Sequence, residues 1–176
     1  MRIVKNPDQR VAVFVDVQNM YYSARSLYEA KVNFGNLMEV ALEGRKLVRA
    51  VAYVITTGEE DEKEGAFFDA LYKAGFDIKK KEVQRFKGGA MKGDWDVAIC
   101  IDAIAMAEKM DSFILFSGDG DYVPLLEYLK LAKGCSTEVV AFDQTCSHKL
   151  KEMADDYIDI ESDKAKFLIG GKKRKK

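Results

Sequence analysis

The chain has 176 residues, 48% of them apolar and 32% charged, and 28 Lys and Arg against 29 Asp and Glu give a net charge of −1. That length and balance fit one soluble globular domain with a substantial core and exclude a chain whose total charge alone would attract nucleic acid. No apolar run reaches transmembrane length, residues 1–10 lack the apolar segment of a signal peptide, and the odd, widely spaced Cys100, Cys135 and Cys146 suit free thiols, so a cytoplasmic protein is expected.

Val11–Val15 reads as a strand, an apolar run suited to the middle of a parallel sheet. Asn19–Ala30 and Asn36–Leu42 read as helices separated by a break at Asn33–Gly35. Leu47–Thr57, rich in Val, Ile and Tyr and closed by Gly58, is a second strand. Glu60–Ala74 is a helix with Phe67, Phe68, Leu71 and Tyr72 along an apolar stripe, stopped by Gly75. Phe76–Arg85 is a charged strand near a sheet edge, where its lysines discourage stray pairing. Lys87–Gly93 reads as the most flexible internal segment, and a helix runs from about Asp94 to Lys109. The strand Ser112–Ser117 follows, then a helix over Tyr122–Ala132 with Pro124 in its first turn. Thr137–Phe142 is a strand, Ser147–Ala154 a short helix and Tyr157–Ile160 a last strand. Repeated strand–helix units imply a mainly parallel sheet of about five strands with helices on both faces. The expected division is an extension over residues 1–10, one domain over 11–161, and a mobile tail over 162–176 that ends in the basic run Lys172–Lys176.

Carboxylates stand where the apolar runs stop. Val11–Val15 runs into Asp16, followed by Asn19, and Phe113–Phe116 runs into Ser117, Gly118, Asp119, Gly120 and Asp121. The carboxyl edge of an open α/β sheet is where ligands bind, and carboxylates gathered there need a positive counterpart. Mg²⁺ and Mn²⁺ favour such oxygen ligands. A third acidic group, Asp94-Trp95-Asp96, opens the helix that continues to Asp102. Asp96 falls in the first turn, where the helix dipole also favours a carboxylate, and Asp94 reads as the N-cap. Asp102, six residues beyond Asp96, points away from it and either serves the site indirectly or caps a neighbouring backbone group. Each acid has a local alternative, since Asp16 can cap a helix and Asp119 and Asp121 can form an Asx-turn. Their convergence on one edge would instead make a metal-dependent enzyme acting on phosphate esters.

Together, VAVFVDVQN, KGDWDVAICID and FILFSGDGDYVPLL resemble, in order and over about Val11 to Ile160, the signatures of the NYN domain family. This family is part of the PIN-like ribonuclease superfamily, and the branch resembled is LabA-like. The resemblance implies a Rossmann-like three-layer α/β/α sandwich with a mainly parallel central sheet, an acidic Mg²⁺ or Mn²⁺ site and hydrolysis of RNA. It implies Asp16, Asp96, Asp119 and Asp121 as catalytic and metal-binding acids, with Asn19 and Ser117 beside them to orient waters or the scissile phosphate. Asp94 and Asp102 are supporting residues. Asp94-Trp95 stands where a single small apolar residue is expected, so Asp94 competes with Asp96 as the ligand, and the spacing to Asp102 favours Asp96. RNA is the implied partner; other single-stranded nucleic acid and a second copy of the chain are further candidates, and no membrane partner is expected. The alternative function is a non-catalytic RNA-binding or regulatory module that keeps the fold and the metal site.

An acidic centre repels RNA unless cations flank it. Arg85, Lys87 and Lys92 are the nearest RNA-binding candidates in sequence, with Lys79–Lys81 upstream and Lys172–Lys176 beyond. Tyr21 and Tyr22 can stack on bases, although their spacing to Leu27 and Tyr28 places at least one of them in the core. The single histidine, His148, lies far from the acidic motifs, which points to a water activated by metal rather than by a histidine base. Gln18 stands where a haloacid-dehalogenase-like phosphatase has its second Asp, and Asp16 where a TOPRIM site has Glu. No phosphate-binding loop motif occurs, and Cys146 with His148 lacks a second ligand pair for zinc.

Overall fold

The computed structural model describes residues 4–56, 62–82, 84–85, 91–92 and 94–171, with backbone alone for 84–85 and 91–92. The glycine-rich segment expected at Lys87–Gly93 therefore lies largely outside the described residues, as do the basic run Lys172–Lys176 and the side chains of Arg85, Lys87 and Lys92.

Strand β1 (Arg10–Asp16) is followed by helix α1 (Val17–Tyr28), the short strand β2 (Ala30–Val32) and helix α2 (Phe34–Leu42). Strand β3 (Lys46–Thr56), helix α3 (Glu62–Lys73) and strand β4 (Asp77–Glu82) come next, then the two-residue strands β5 (Gln84–Arg85) and β6 (Met91–Lys92). Helix α4 (Asp96–Met106), strand β7 (Ser112–Phe116), helix α5 (Val123–Lys133) and strand β8 (Ser136–Ala141) follow. Helix α6 (His148–Met153), strand β9 (Asp156–Asp159), helix α7 (Lys164–Phe167) and strand β10 (Leu168–Gly170) complete the order.

The central sheet has six strands in the order β4-β3-β1-β7-β8-β9, and every neighbouring pair is parallel. Such a sheet is buried on both faces, which is why β1 and β7 are nearly continuous apolar runs. Alternation splits β1 between two cores. Val11, Val13 and Val15 pack with α1, α2 and α3, while Ala12 and Phe14 pack with α4, α5 and α6. Phe14, Phe113 and Tyr53 interlock edge to face in the second core, with centroids 5.4 and 5.6 Å apart.

Two expectations from the sequence are corrected here. Helix α1 stops at Tyr28, because Glu29 turns into the left-handed region (φ 50°) and its N–H bonds back to Ala24 and Arg25 carbonyls. The chain then forms β2 instead of extending the helix through Ala30. Residues 162–171, expected as part of a loose tail, are folded. Strand β10 pairs antiparallel with β2, and Phe167 is buried in the first core. The Asn33 N–H donates to the Phe167 carbonyl at 2.8 Å, and the Asn36 side chain donates to the Lys166 carbonyl at 2.7 Å. A short strand with an open edge accepts such a partner from anywhere in the chain.

The amino-terminal end of the sheet is locked by a buried ion pair. Arg45, just before β3, meets Glu138 of β8 through Nη1–Oε1 at 2.5 Å and Nη2–Oε2 at 3.0 Å. Ser112 Oγ at the start of β7 donates to the same carboxylate at 2.6 Å, and Lys5 Nζ lies 2.9 Å from it. Arg45 Nη2 also donates to the Ala41 carbonyl at 2.7 Å, which ties α2 to the group. A bidentate pair satisfied on all sides tolerates burial, whereas removal of one partner leaves a charge stranded in the core. Glu138→Ala is expected to lower unfolding stability by about 3–5 kcal/mol. Urea unfolding monitored by circular dichroism checks this, and a loss below about 1 kcal/mol would mean that the pair is no more than a surface ion pair in strength.

Candidate metal centre

Parallel strands bring all their carboxyl ends to one edge, and the strand order reverses at the junction of β1 and β7. A crevice opens at such a junction because the flanking connections leave on opposite faces. Val15 pairs with Phe116, so the residues that follow, Asp16 and Ser117, stand side by side at its mouth.

Asp16 ends β1 and caps α1, accepting the Asn19 N–H at 3.1 Å. The Asn19 side chain reaches across the junction, where its Oδ1 accepts the Gly118 N–H at 2.9 Å. Ser117 is buried and its hydroxyl accepts the Asp119 N–H at 3.2 Å; Asp119 in turn accepts the Asp121 N–H at 3.0 Å. Asn19 and Ser117 thus direct these bonds at the loop backbone. The loop also requires its glycines. A Cβ on Gly118 would lie 3.0 Å from the Cα of Cys146, and one on Gly120 would lie 2.8 Å from Ser147 Oγ. The Ser147 N–H donates to the Gly118 carbonyl at 2.9 Å, so the two loops are in direct contact.

Asp96 comes from the other side of the sheet, on the first turn of α4. Trp95 pins that turn: its indole N–H donates to the Val54 carbonyl at 3.0 Å, and its ring meets Tyr53 at 5.5 Å. Trp95 occupies the N-cap position with no side-chain cap, so Asp94 is not the cap expected from the sequence. Asp94 sits one residue further out on the cleft wall, and its carbonyl accepts Lys81 Nζ at 3.0 Å. Among the described residues, Asp102 caps no backbone group. Its Oδ2 accepts the Tyr53 hydroxyl and Lys79 Nζ, both at 2.6 Å, which fastens α4 to β3 and β4. Burial raises the Asp102 pKa, but Lys79 and Tyr53 outweigh it and hold the carboxyl below its ordinary range.

The result is a crowd of carboxylates. One oxygen each of Asp96, Asp119 and Asp121 lies within 4.8 Å of the others. Asp16 is linked to them by Tyr122, to which the sequence motifs assign no part in the site. The Tyr122 hydroxyl, fully buried, lies 2.9 Å from Asp96 Oδ1 and 3.3 Å from Asp16 Oδ2, so one proton serves two acceptors. Burial, then the two carboxylates, push the phenol pKa far up, and it stays protonated. Burial pushes Asp16 up to about 6, aided by Asp96 and Asp119 and opposed by the Asn19 N–H and Tyr122. Asp96 is also raised, by burial first and then by Asp119, Asp94 and Asp121. Among the described residues, none of Asp16, Asp96, Asp119 or Asp121 has an ion-pair partner. All the donors are carboxylate oxygens, the set that suits Mg²⁺ or Mn²⁺.

A cleft of about 280 Å³ opens over these groups, lined by Asp16, Asn19, Tyr22, Asp94, Asp96 and Asp119 among others. Neither Tyr21 nor Tyr22 is in the core, contrary to expectation: they are 42% and 59% exposed. The buried stripe of α1 is Val17, Met20, Ser23 and Ala24, which turns the tyrosines outward. Lys79 and Lys81 are held by the contacts given above, and Lys80 Nζ lies over the Phe68 ring at 3.8 Å. His148 is exposed, 3.3 Å from Glu152.

A family model for the NYN domain matches residues 10–161. The low amplitude and bright protein LabA of Synechococcus elongatus is 29% identical over 163 residues, which span 86% of this chain and 83% of LabA. A crystal structure of a Vibrio parahaemolyticus protein of unknown function superposes with a TM-score of 0.84 at 33% identity, covering 95% of this chain and 100% of that one.

The raised pKa of Asp16 makes stability depend on pH in a defined direction. Between about pH 4 and about pH 6 the folded chain keeps a proton that the unfolded chain has released. Stability from this group therefore falls as pH rises through that window, and the loss is complete above it. Asp16→Asn keeps an acceptor for the Asn19 N–H and removes the charge. Without added metal it is expected to be more stable than the wild type at neutral pH by on the order of 2–3 kcal/mol, with most of the gain gone near pH 4. Urea unfolding at the two pH values measures this; a gain that ignores pH would place its origin in packing.

Proposed function

The chain belongs to the NYN domain family, and from that premise we propose that it is a metal-dependent ribonuclease that hydrolyses RNA phosphodiester bonds at the acidic cleft. The observation behind this reading is that Asp96 of α4 meets Asp119 and Asp121 of the loop after β7, with one oxygen of each within 4.8 Å of the others and their charges uncompensated among the described residues. Asp96, Asp119 and Asp121 would hold Mg²⁺ or Mn²⁺, and Asp16 would join them directly or through water. A bound divalent cation lowers the pKa of a water and neutralises charge that develops on the phosphate.

The chain's own residues prepare that chemistry. Asn19 and Ser117 fix the loop that carries Asp119 and Asp121. The Tyr122 proton relieves repulsion between Asp16 and Asp96 and keeps both oxygens in place. Tyr53 and Lys79 hold α4 through Asp102, so the helix carrying Asp96 is anchored on a rigid sheet. Precise support of this kind is what a displacement at phosphorus requires of its ligands. For substrate capture, Lys92 is two residues before Asp94 and pairs with Gln84 in the β5–β6 ribbon, beside Arg85. Arg85, Lys87 and Lys92 would give the RNA backbone its cations.

Saturating Mn²⁺ or Mg²⁺ is expected to raise Tm, with about 2.7 kcal/mol of stabilisation at one hundred times Kd. Asp119→Asn is expected to shrink that rise and to abolish metal-dependent cleavage of end-labelled RNA. An undiminished rise in the variant would put the metal elsewhere. A metal-induced rise with no cleavage of any RNA would favour the non-catalytic, RNA-binding alternative.

Replacing Lys87 and Lys92 together by Ala is expected to weaken RNA binding and to make its salt dependence shallower, by roughly 0.7 in log–log slope for each phosphate left without its lysine. The metal-induced rise in Tm should persist in this double variant. Filter binding across a salt series tests it, and an unchanged slope would move the substrate track away from this segment.

A further inference from the structure

Helix α1 begins at the acidic centre and turns an aromatic face outward. Tyr22 is more exposed than its neighbour Tyr21, at 59%, yet it lines the cleft together with Asp16, Asn19, Asp96 and Asp119. Its place there follows from helical spacing, because Gln18 and Tyr22 are one turn apart on the cleft side of α1. Tyr21 meets Tyr22 edge to face, with centroids 5.6 Å apart and planes at 70°. The hydroxyl of Tyr21 accepts Arg25 Nη1 at 2.8 Å, and the guanidinium carbon is 5.9 Å from the Tyr21 ring centroid. Arg25 thereby holds a positive charge beside the rings. Asp16 caps this same helix, so rings and acids share one rigid element.

We propose that Tyr22 is a stacking platform for an unpaired base next to the scissile phosphate, with Tyr21 and Arg25 continuing the track, so that the site takes single-stranded RNA. This rests on the ribonuclease reading above. Two exposed aromatic rings beside a cleft are costly in water and are repaid when a flat apolar face covers them. A nucleobase supplies such a face with any sequence, and only when it is unstacked from its own strand. A base inside a duplex has both faces covered and cannot reach Tyr22. Arg25 offsets the repulsion between the acidic floor and the phosphate that follows the stacked base.

The test uses the full chain and a fluorescein-labelled oligouridylate, single-stranded or annealed to oligoadenylate. Anisotropy is read in the Asp119→Asn background to suppress cutting, and cleavage in the otherwise wild-type chain. The single strand is expected to bind at least ten-fold more tightly than the duplex. Tyr22→Ala is expected to weaken single-strand binding roughly five- to hundred-fold, seen as a rise in KM larger than any fall in kcat. Tyr22→Phe and Tyr22→Trp, which keep a stacking face, should retain affinity. Unchanged affinity in Tyr22→Ala, while the wild-type chain binds and cuts RNA, overturns the stacking role and leaves the nuclease reading standing. Equal loss in Tyr22→Phe and Tyr22→Ala overturns it too, since the hydroxyl alone would then matter. A wild-type chain that neither binds nor cuts RNA overturns both readings together.

Discussion

Repulsion among carboxylates at the carboxyl edge of the sheet is the constraint around which the molecule is built. With one oxygen each of Asp96, Asp119 and Asp121 within 4.8 Å of the others, the like charges repel at short range, and this adds to burial in raising the Asp96 pKa. The fold meets this with fixed donors. Backbone N–H groups of Asn19 and Asp121 bond to Asp16 and Asp119, and the Tyr122 hydroxyl stands between Asp16 and Asp96. Buried strands β1 and β7 supply the rigidity, because their close-packed side chains cannot yield to let the acids spread.

The opposite end of the same sheet shows what the chain does with charge that serves the fold. There Glu138 is met by Arg45, Lys5 and Ser112, and Arg45 is satisfied further by the Ala41 and Leu42 carbonyls. Every described buried side-chain polar atom has a partner. Charge matched at one end and, among the described residues, unmatched at the other is made by one set of parallel strands. Asp102 repeats the matched pattern on α4, where Lys79 and Tyr53 compensate it. The distinction between Asp102 and Asp96, six residues apart on one helix, is therefore electrostatic as well as geometric.

Local capping and convergence on a site are compatible roles for these acids. Asp16 is the N-cap of α1 and Asp119 receives the Asp121 N–H, the roles a turn or helix start would give them anywhere. Each cap occupies one carboxylate oxygen and orients the other. Capping thereby aims the acids, and strand order decides that they meet.

The parallel sheet, the helices on both faces and the acids at strand ends were all legible in the amino-acid order, because those features are written in local periodicity. Apolar runs such as Val11–Val15 and Phe113–Phe116 read as buried strands, and Asp16 and Asp119 stand just past the carboxyl ends of those runs. The motif resemblance then supplied the family. Which acids face one another was settled only in three dimensions, since that depends on β7 inserting beside β1 after the chain has gone out to β4 and returned. Folding also made Trp95 the anchor of α4, gave Tyr122 its two acceptors and turned Tyr21 and Tyr22 outward. It brought residues 168–170 onto β2, a pairing across more than one hundred positions of sequence. Periodicity reports what is near along the chain, and these contacts are set by what becomes near only after the strands have been ordered.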